Sequence, residues 1–312
     1  MYHILASEQF SPQQLEGLFV KADAFRETDK NIGDRREVMV RHFGRLVVSM
    51  FYEASTRTKF SFGIAAKKLG ISVEGTENAS EFSSAAKGES IEDTVKVLNE
   101  YGIDGIILRT KEEGHANLAA SVSKVMVING GDGKGEHPTQ AALDMYTIRN
   151  EFGRLDSHNV VIGGDLAHGR TARSLALLLS KYPNNKITFV STPELQISED
   201  IKAKLREHNT QYKETSEMFD ALRDANVVYW TRLQLERLNK EEQLSLGQES
   251  FVLGAAALEV LPKEAIIMHP LPRQGELPVT TDDDPRARYF RQAGNGLYVR
   301  MAMLDDNMQD LA

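Results

Sequence analysis

Phe51-Tyr52-Glu53-Ala54-Ser55-Thr56-Arg57-Thr58-Lys59-Phe60-Ser61-Phe62 is the stretch whose reading decides the fold. Ahead of it, Arg45-Leu46-Val47-Val48-Ser49-Met50 has the short apolar run of a buried β-strand. Behind it, Phe60 to Leu69 reads as a helix stopped by Gly70. Ser55, Thr56, Arg57 and Thr58 thus stand where a strand hands over to a helix. At such a junction unpaired backbone N–H groups and the positive end of the helix dipole face outward, a natural anion site. Three hydroxyls and the planar fork of an arginine add the donors that a phosphate dianion takes. One Ser or Thr here would be an ordinary helix cap; four donors in succession exceed what capping requires.

The rest of the chain fits a protein built around such a site. Its 312 residues suggest two domains, and 41% hydrophobic with 26% charged residues is an ordinary globular composition. No run approaches the length of a membrane span. The opening Met1-Tyr2-His3-Ile4-Leu5-Ala6-Ser7-Glu8 lacks the basic start and apolar block of a signal peptide. The chain has no cysteine, which removes disulfides, thiolate metal ligands and a Cys nucleophile. These features point to the cytoplasm. A net charge of −8 disfavours nucleic acid, whose phosphates are held by basic surfaces.

Strand and helix patterns alternate along the chain. Ser11-Pro12-Gln13-Gln14 opens a helix to about Thr28 that turns Leu15, Leu18, Phe19 and Ala22 inward. Strands are expected at 71–73, 103–108, 125–129, 159–162, 186–191, 226–230 and 265–268. Helices are expected at 113–123, 171–182 and 198–208, from Ser90 to Tyr101, from His137 to Gly153, and at about 295–311 after Gly294. Residues 74–89 carry no apolar period and read as a long loop, of the kind that is usually functional or disordered. Alternating βα units imply mostly parallel sheets with helices on both faces. The expected class is α/β with two doubly wound domains and a site in the cleft between them, the boundary falling inside the helix at 138–152.

In such folds ligands bind beyond the carboxyl ends of the strands. Six polar clusters follow apolar strands here: Ser55 to Thr58, Arg109, Gly130 to Gln140, Asp165 to Thr171, Thr231 to Gln234, and His269 to Arg273. Gly164-Asp165-Leu166-Ala167-His168-Gly169-Arg170-Thr171 has the spacing of a phosphate-binding P-loop, yet Arg170 stands where that loop needs its lysine. The glycines of Gly130-Gly131-Asp132-Gly133-Lys134-Gly135-Glu136 let the backbone approach a ligand but lack the third glycine of a dinucleotide fingerprint. Arg232 and Gln234 would share a face if the strand continued, a guanidinium and an amide suited to a carboxylate. Arg57, Lys87, Arg109, Arg170 and Arg232 gather positive charge in an acidic chain, which implies anionic substrates. A nucleotidase and a non-catalytic phosphate-binding protein stay open at this point.

Ser55-Thr56-Arg57-Thr58 together with His137-Pro138-Thr139-Gln140 resembles the phosphate and carbamoyl motifs of the carbamoyltransferases. Asp165 to Thr171, Thr231-Arg232-Leu233-Gln234 and His269-Pro270-Leu271-Pro272-Arg273 resemble the acceptor segments of the family's aspartate branch. The ornithine branch carries a His-Cys-Leu-Pro loop and a Ser-Met-Gly motif, both missing here. The resemblance implies transfer of the carbamoyl group of carbamoyl phosphate to the amine of L-aspartate, the second step of pyrimidine biosynthesis; another acceptor such as ornithine is the alternative. It implies a carbamoyl phosphate domain at 1–138 plus 292–312 and an aspartate domain at 139–291.

By the same resemblance, Ser55, Thr56, Arg57, Thr58 and Arg109 would bind the phosphate, and Thr58, Arg109 and His137 the carbonyl oxygen. Gln140 and the Pro270 backbone would hold the carbamoyl amide. Arg170, Arg232 and Gln234 would bind the aspartate carboxylates, with the Leu271 backbone near the amine. Ser83 and Lys87 would reach into a neighbour's site, which implies a homotrimer with shared sites. Regulatory chains or a dihydroorotase are possible further partners, and no metal or cofactor is implied. Lys59 follows the motif where the family commonly has Arg, and Ala86 leaves Lys87 the one lysine of its loop.

Overall fold

Two parallel sheets, each buried by helices, organise the computed structural model, which describes residues 3–77, 79, 88–233 and 251–309. The chain divides into one compact unit of Met1–Leu143 with Gly294–Ala312, and a second of Asp144–Ala293.

In the first unit, helix α1 (Pro12–Thr28) starts at Ser11, whose side chain accepts from the Gln14 N–H, and buries Leu15, Leu18, Phe19 and Ala22. A short helix that the sequence reading passed over, α2 (Ile32–Met39), follows an Asn31 cap. It has one buried residue, Val38, so its apolar period is too faint to register. Strands β1 (Leu46–Phe51), β2 (Ser72–Thr76), β3 (Gly105–Thr110) and β4 (Met126–Asp132) form a sheet in the order β2-β1-β3-β4, all parallel. Helix α3 (Thr56–Lys68) joins β1 to β2. It begins four residues before the expected Phe60, so Thr56, Arg57 and Thr58 form its first turn rather than precede it. Helix α4 (Ile91–Glu100), capped by Ser90, and α5 (His115–Val122) complete the crossovers of this unit.

Strand β4 also outruns its apolar residues. Leu108 pairs with Asn129 and Thr110 with Asp132, so β4 holds one more residue than β3 across that interval. The bulge falls at Gly130 and Gly131, and Gly131 takes φ 117°, a conformation that L side chains rarely adopt. The expected glycine loop is thus in part a bulged strand end, and the bulge lies beside Arg109.

The chain passes to the second unit within helix α6 (Pro138–Phe152). The second sheet has the order β7-β6-β5-β8-β9, again parallel, with β5 (Asn159–Gly163), β6 (Lys186–Val190), β7 (Gln211–Thr215), β8 (Val227–Trp230) and β9 (Ile266–Met268). Helices α7 (Arg170–Leu179), α8 (Glu199–Glu207), α9 (Met218–Leu222) and α10 (Ala255–Val260) flank it. β7, α9 and α10 were not expected from sequence. β7 is half-exposed and polar, and the two helices are short, so none carries a readable period. Trp230 is fully buried, donates its indole N–H to Phe251 O at 2.8 Å, and packs where Gly163 has no side chain.

The last helix, α11 (Tyr289–Gln309), begins six residues before the expected 295 and runs straight through Gly294. Gly296 inside it allows close packing, because a Cβ there would lie 2.8 Å from Leu143 Cδ2. Met301, Leu304 and Met308 of the expected inward face are buried, while Leu297 is half-buried. Among the described residues no helix is long and apolar enough to cross a membrane.

Candidate active site

Each sheet reverses its strand order at one point, and most candidate residues follow the strands beside that point, the others following β4 and β9. In the first sheet β1 leads outward to β2 on one side and to β3 and β4 on the other, so the switch lies between β1 and β3. Ser55 to Thr58 follow β1, and Arg109 ends β3. Phe51 pairs with Arg109, and the Tyr52 N–H donates to Arg109 O at 2.8 Å. In the second sheet the switch lies between β5 and β8. The Gly164–Thr171 loop follows β5, the Thr231–Leu233 segment follows β8, and Pro270 and Leu271 follow the neighbouring β9.

Within the first unit, Ser55 caps α3 without using its side chain on the helix backbone. Its Oγ donates instead to Thr58 Oγ1 at 2.9 Å, which leaves the Thr58 proton for a ligand. Thr56 and Arg57 are exposed, whereas Thr58 is 6% exposed. Arg57 has no ion-pair partner among the described residues. Crowding by surrounding protein lowers its pKa, but a guanidinium remains cationic at neutral pH.

Arg109 is 9% exposed and fixed at both ends of its fork, donating to Gly130 O at 3.0 Å and pairing with Glu53 Oε2 at 2.8 Å. Gly130 closes the group, since a Cβ there would lie 3.5 Å from Thr58 Cγ2 and 3.7 Å from Arg109 Cβ. His137 is buried at the start of α6, with its Nδ1 3.5 Å from Thr139 Oγ1, and half-buried Gln140 sits one turn on.

Arg300 ties the two helix starts together. Its guanidinium is buried, donates to Ser61 Oγ of α3 at 2.8 Å and to Thr139 Oγ1 of α6 at 3.4 Å, and lies 4.9 Å from the Phe62 ring centre. Neither Arg300 nor Glu53 was assigned a role from sequence. Glu53 lies inside the opening stretch, where a carboxylate beside an anion site gives no signal until its partner is known. Arg300 sits mid-helix with no local pattern.

Within the second unit, Arg170 opens α7 and Arg232 follows Thr231 out of β8; both are half-buried. Ala167 and Leu233 pack on the same buried Leu195, which brings the two loops side by side. Thr231 is pinned by its N–H and Oγ1, both bonded to Gly163 O at 2.8 and 3.0 Å. The P-loop spacing does not produce a P-loop. Asp165 is fully buried, and its carboxylate accepts from the His168 N–H at 3.0 Å and contacts His168 Nδ1 at 3.1 Å. A carboxylate therefore occupies the turn that a nucleotide phosphate would need.

Pro270 and Leu271 are half-buried, and Leu271 has φ 54°. Arg273 of the same loop is paired with Asp282 and lies 5.6 Å from the ring centres of Tyr289 and Phe290. Ser83, Lys87 and Gln234 lie outside the described residues. Among those described, no group of three or more His, Asp or Glu side chains is placed to hold a metal ion.

Residues 2–150 match a family model described as the carbamoyl-P binding domain of aspartate/ornithine carbamoyltransferase. Residues 156–306 match that described as the Asp/Orn binding domain. The chain is 44% identical to the chloroplastic aspartate carbamoyltransferase of Oryza sativa subsp. japonica, over 96% of this chain and 83% of the relative. It resembles the catalytic subunit of M. jannaschii aspartate transcarbamoylase with a TM-score of 0.88 and 38% identity, over 99% of each chain. It also resembles a Trypanosoma cruzi aspartate transcarbamoylase solved with carbamoyl phosphate and aspartate, with a TM-score of 0.89 and 34% identity, over 97% of this chain and 94% of that one.

Proposed function

This chain belongs to the aspartate/ornithine carbamoyltransferase family, and we propose that it transfers the carbamoyl group of carbamoyl phosphate to L-aspartate in pyrimidine biosynthesis. The observation that carries the reading is a division among the first unit's donors. Thr58, Arg109 and His137 are buried, whereas Thr56 and Arg57 are exposed. Exposed donors and an exposed cation suit a phosphate dianion arriving from water. Buried donors suit an oxygen on which charge grows only during reaction, because preorganised donors in a dry site act most strongly there.

In the proposed mechanism the deprotonated aspartate amine attacks the carbamoyl carbon and forms the new N–C bond. The carbonyl oxygen becomes an oxyanion held by Thr58, Arg109 and His137. The C–O bond to phosphate then breaks, and the departing phosphate takes the amine proton. Ser55, Thr56, Arg57 and Arg109 hold that phosphate throughout, and Gln140 with the Pro270 backbone orients the carbamoyl amide. Arg170, Arg232 and Gln234 bind the carboxylates of aspartate, with the Leu271 backbone at its amine. Holding both anions in reacting geometry supplies a large part of the rate.

The proposed assembly is a homotrimer in which Ser83 and Lys87 serve a neighbour's site. Val40, Phe43, Phe60 and Ile64 are exposed apolar residues of the first unit, Phe43 at 85%, that contact with another chain would bury. Further partners in the proposal are regulatory chains or a dihydroorotase, and the proposed compartment is the cytoplasm. The rice relative's name reads chloroplastic, so cell fractionation is the test of compartment.

A ureido-product assay with carbamoyl phosphate and either aspartate or ornithine tests the activity. Product with aspartate alone is expected; product with ornithine alone would overturn the choice of acceptor.

A further inference from the structure

His269 is 1% exposed, and no role in the proposed reaction has been given to it. Its Nδ1 lies 2.8 Å from the Leu271 backbone nitrogen. A backbone N–H can only donate, so Nδ1 holds a lone pair and the ring proton sits on Nε2. That nitrogen in turn lies 2.9 Å from Glu276 Oε1, and Glu276 is 7% exposed. Both carboxylate oxygens of Glu276 also accept from the Gln274 N–H, at 3.0 and 3.2 Å. Burial pushes the Glu276 carboxyl up, but these bonds outweigh it and hold its pKa below the ordinary value, so it is an acceptor at neutral pH.

The backbone of His269 is fixed as well. Its N–H donates to Gln292 Oε1 at 2.9 Å, and Gln292 Nε2 donates to the fully buried Asp144 at 2.6 Å. A carboxylate acceptor at one end of the Gln292 amide settles which end faces His269. Between these anchors Leu271 adopts φ 54°, a left-handed conformation that a bulky residue avoids unless its surroundings impose it.

We propose that His269 is a positioning residue: as a neutral Nε2–H imidazole held by Glu276, it accepts the Leu271 N–H and so aims the Pro270 and Leu271 backbone at the reacting carbamoyl and amine groups. The inference rests on the carbamoyl-transfer reading, in which that backbone touches substrate. It adds the device that sets the loop, which lies in the side chains of three segments remote in sequence.

Two substitutions in the full-length chain separate the contacts. The Oδ1 of His269→Asn can take the place of Nδ1 as acceptor for Leu271, whereas His269→Gln reaches toward Glu276 and leaves that N–H without its partner. Misplacing a reacting group by about an ångström costs on the order of a hundredfold. His269→Gln should therefore lose about 10- to 100-fold in kcat with aspartate, and His269→Asn should keep at least about tenfold more than that. Inhibition by inorganic phosphate should be unchanged in both, because phosphate is held by residues of the first unit.

Equal losses in the two variants, or a His269→Gln enzyme as active as its parent, would overturn the proposal. A parent without aspartate carbamoylation would instead overturn the underlying reading. The unsubstituted protein gives a measurement that needs no variant to fold. Nitrogen NMR should show a coupling across the hydrogen bond from the Leu271 amide to an unprotonated His269 Nδ1, and a protonated Nδ1 would refute the assignment.

Discussion

Arg57 and Arg109 carry the same charge and serve the same proposed phosphate, and alanine at either should cost activity, but only alanine at Arg109 should also cost stability. Arg57 is exposed and touches no acid among the described residues, so its loss should leave stability within about 0.5 kcal/mol of the parent. Its proposed work is a two-pronged grip on phosphate. Each charge-assisted hydrogen bond contributes about 1.5–3 kcal/mol, so two amount to about 3–6 kcal/mol, or roughly 10²- to 10⁴-fold in kcat/KM.

Arg109→Ala should also lose activity, but it takes one partner each from Gly130 O and from the part-buried Glu53 carboxylate. Breaking a fully buried pair costs about 3–5 kcal/mol; Glu53 retains 26% exposure, so water relieves part of it and about 2–3 kcal/mol is expected. Steady-state kinetics with carbamoyl phosphate and urea unfolding of the three proteins make the comparison. An Arg57→Ala enzyme with more than about a third of the parent kcat/KM would refute the phosphate grip. Equal losses of stability in the two variants would refute the distinction between an exposed guanidinium and a buried, paired one.

Gly164→Ala should raise the KM for aspartate roughly tenfold while leaving phosphate inhibition intact. Gly164 has φ 109°, and its new Cβ would lie 2.6 Å from Thr231 Oγ1, displacing the segment that carries Arg232; an unchanged KM would count against Arg232 as a carboxylate ligand. Asp305 is buried against His42 at 2.9 Å, Arg41 at 3.2 Å and Lys21 at 3.6 Å. Burial raises its pKa, but the bond to His42 and the charges of Arg41 and Lys21 outweigh that and leave it depressed. A depressed carboxyl stabilises the fold above its unfolded value of about 3.9 and ceases to do so as pH falls through its folded value. Asp305→Asn should accordingly be less stable than the parent at neutral pH and lose less on further acidification below about pH 4, and parallel curves would refute this. Mixing Lys87→Ala with Arg57→Ala protein under subunit exchange should restore part of the activity if sites are shared, and no recovery would argue for sites made by single chains.

The amino-acid sequence by itself determined which local structures form and what chemistry follows each strand. Ser11 and Ser90 cap their helices where the pattern places them, because capping is a contact between residues three apart. The donor run Ser55 to Thr58 was legible for the same reason, a strand, a turn and a helix within one short stretch. Sequence was less informative wherever a boundary depends on a distant neighbour. Gly294 looks like a helix start but lies inside α11, which depends on packing against the rest of the fold. The glycine run that ends β4 reads as loop and is in part strand, since its bulge is set by pairing with β3.

Tertiary structure alone decided strand order, and with it the meaning of the motifs. Only the order β2-β1-β3-β4 brings Arg109 beside the head of α3, and only β5 next to β8 sets the Arg170 loop beside the Arg232 segment. It also turned the apparent P-loop into a closed turn filled by the fully buried Asp165, gave Glu53 and Arg300 partners far along the chain, and tied the His269 backbone to Gln292 of the last helix. The physical reason is range. Caps, periods and turns are contacts across a few residues, whereas hydrogen-bond partners joined through a folded sheet leave no trace in the spacing of the residues that make them.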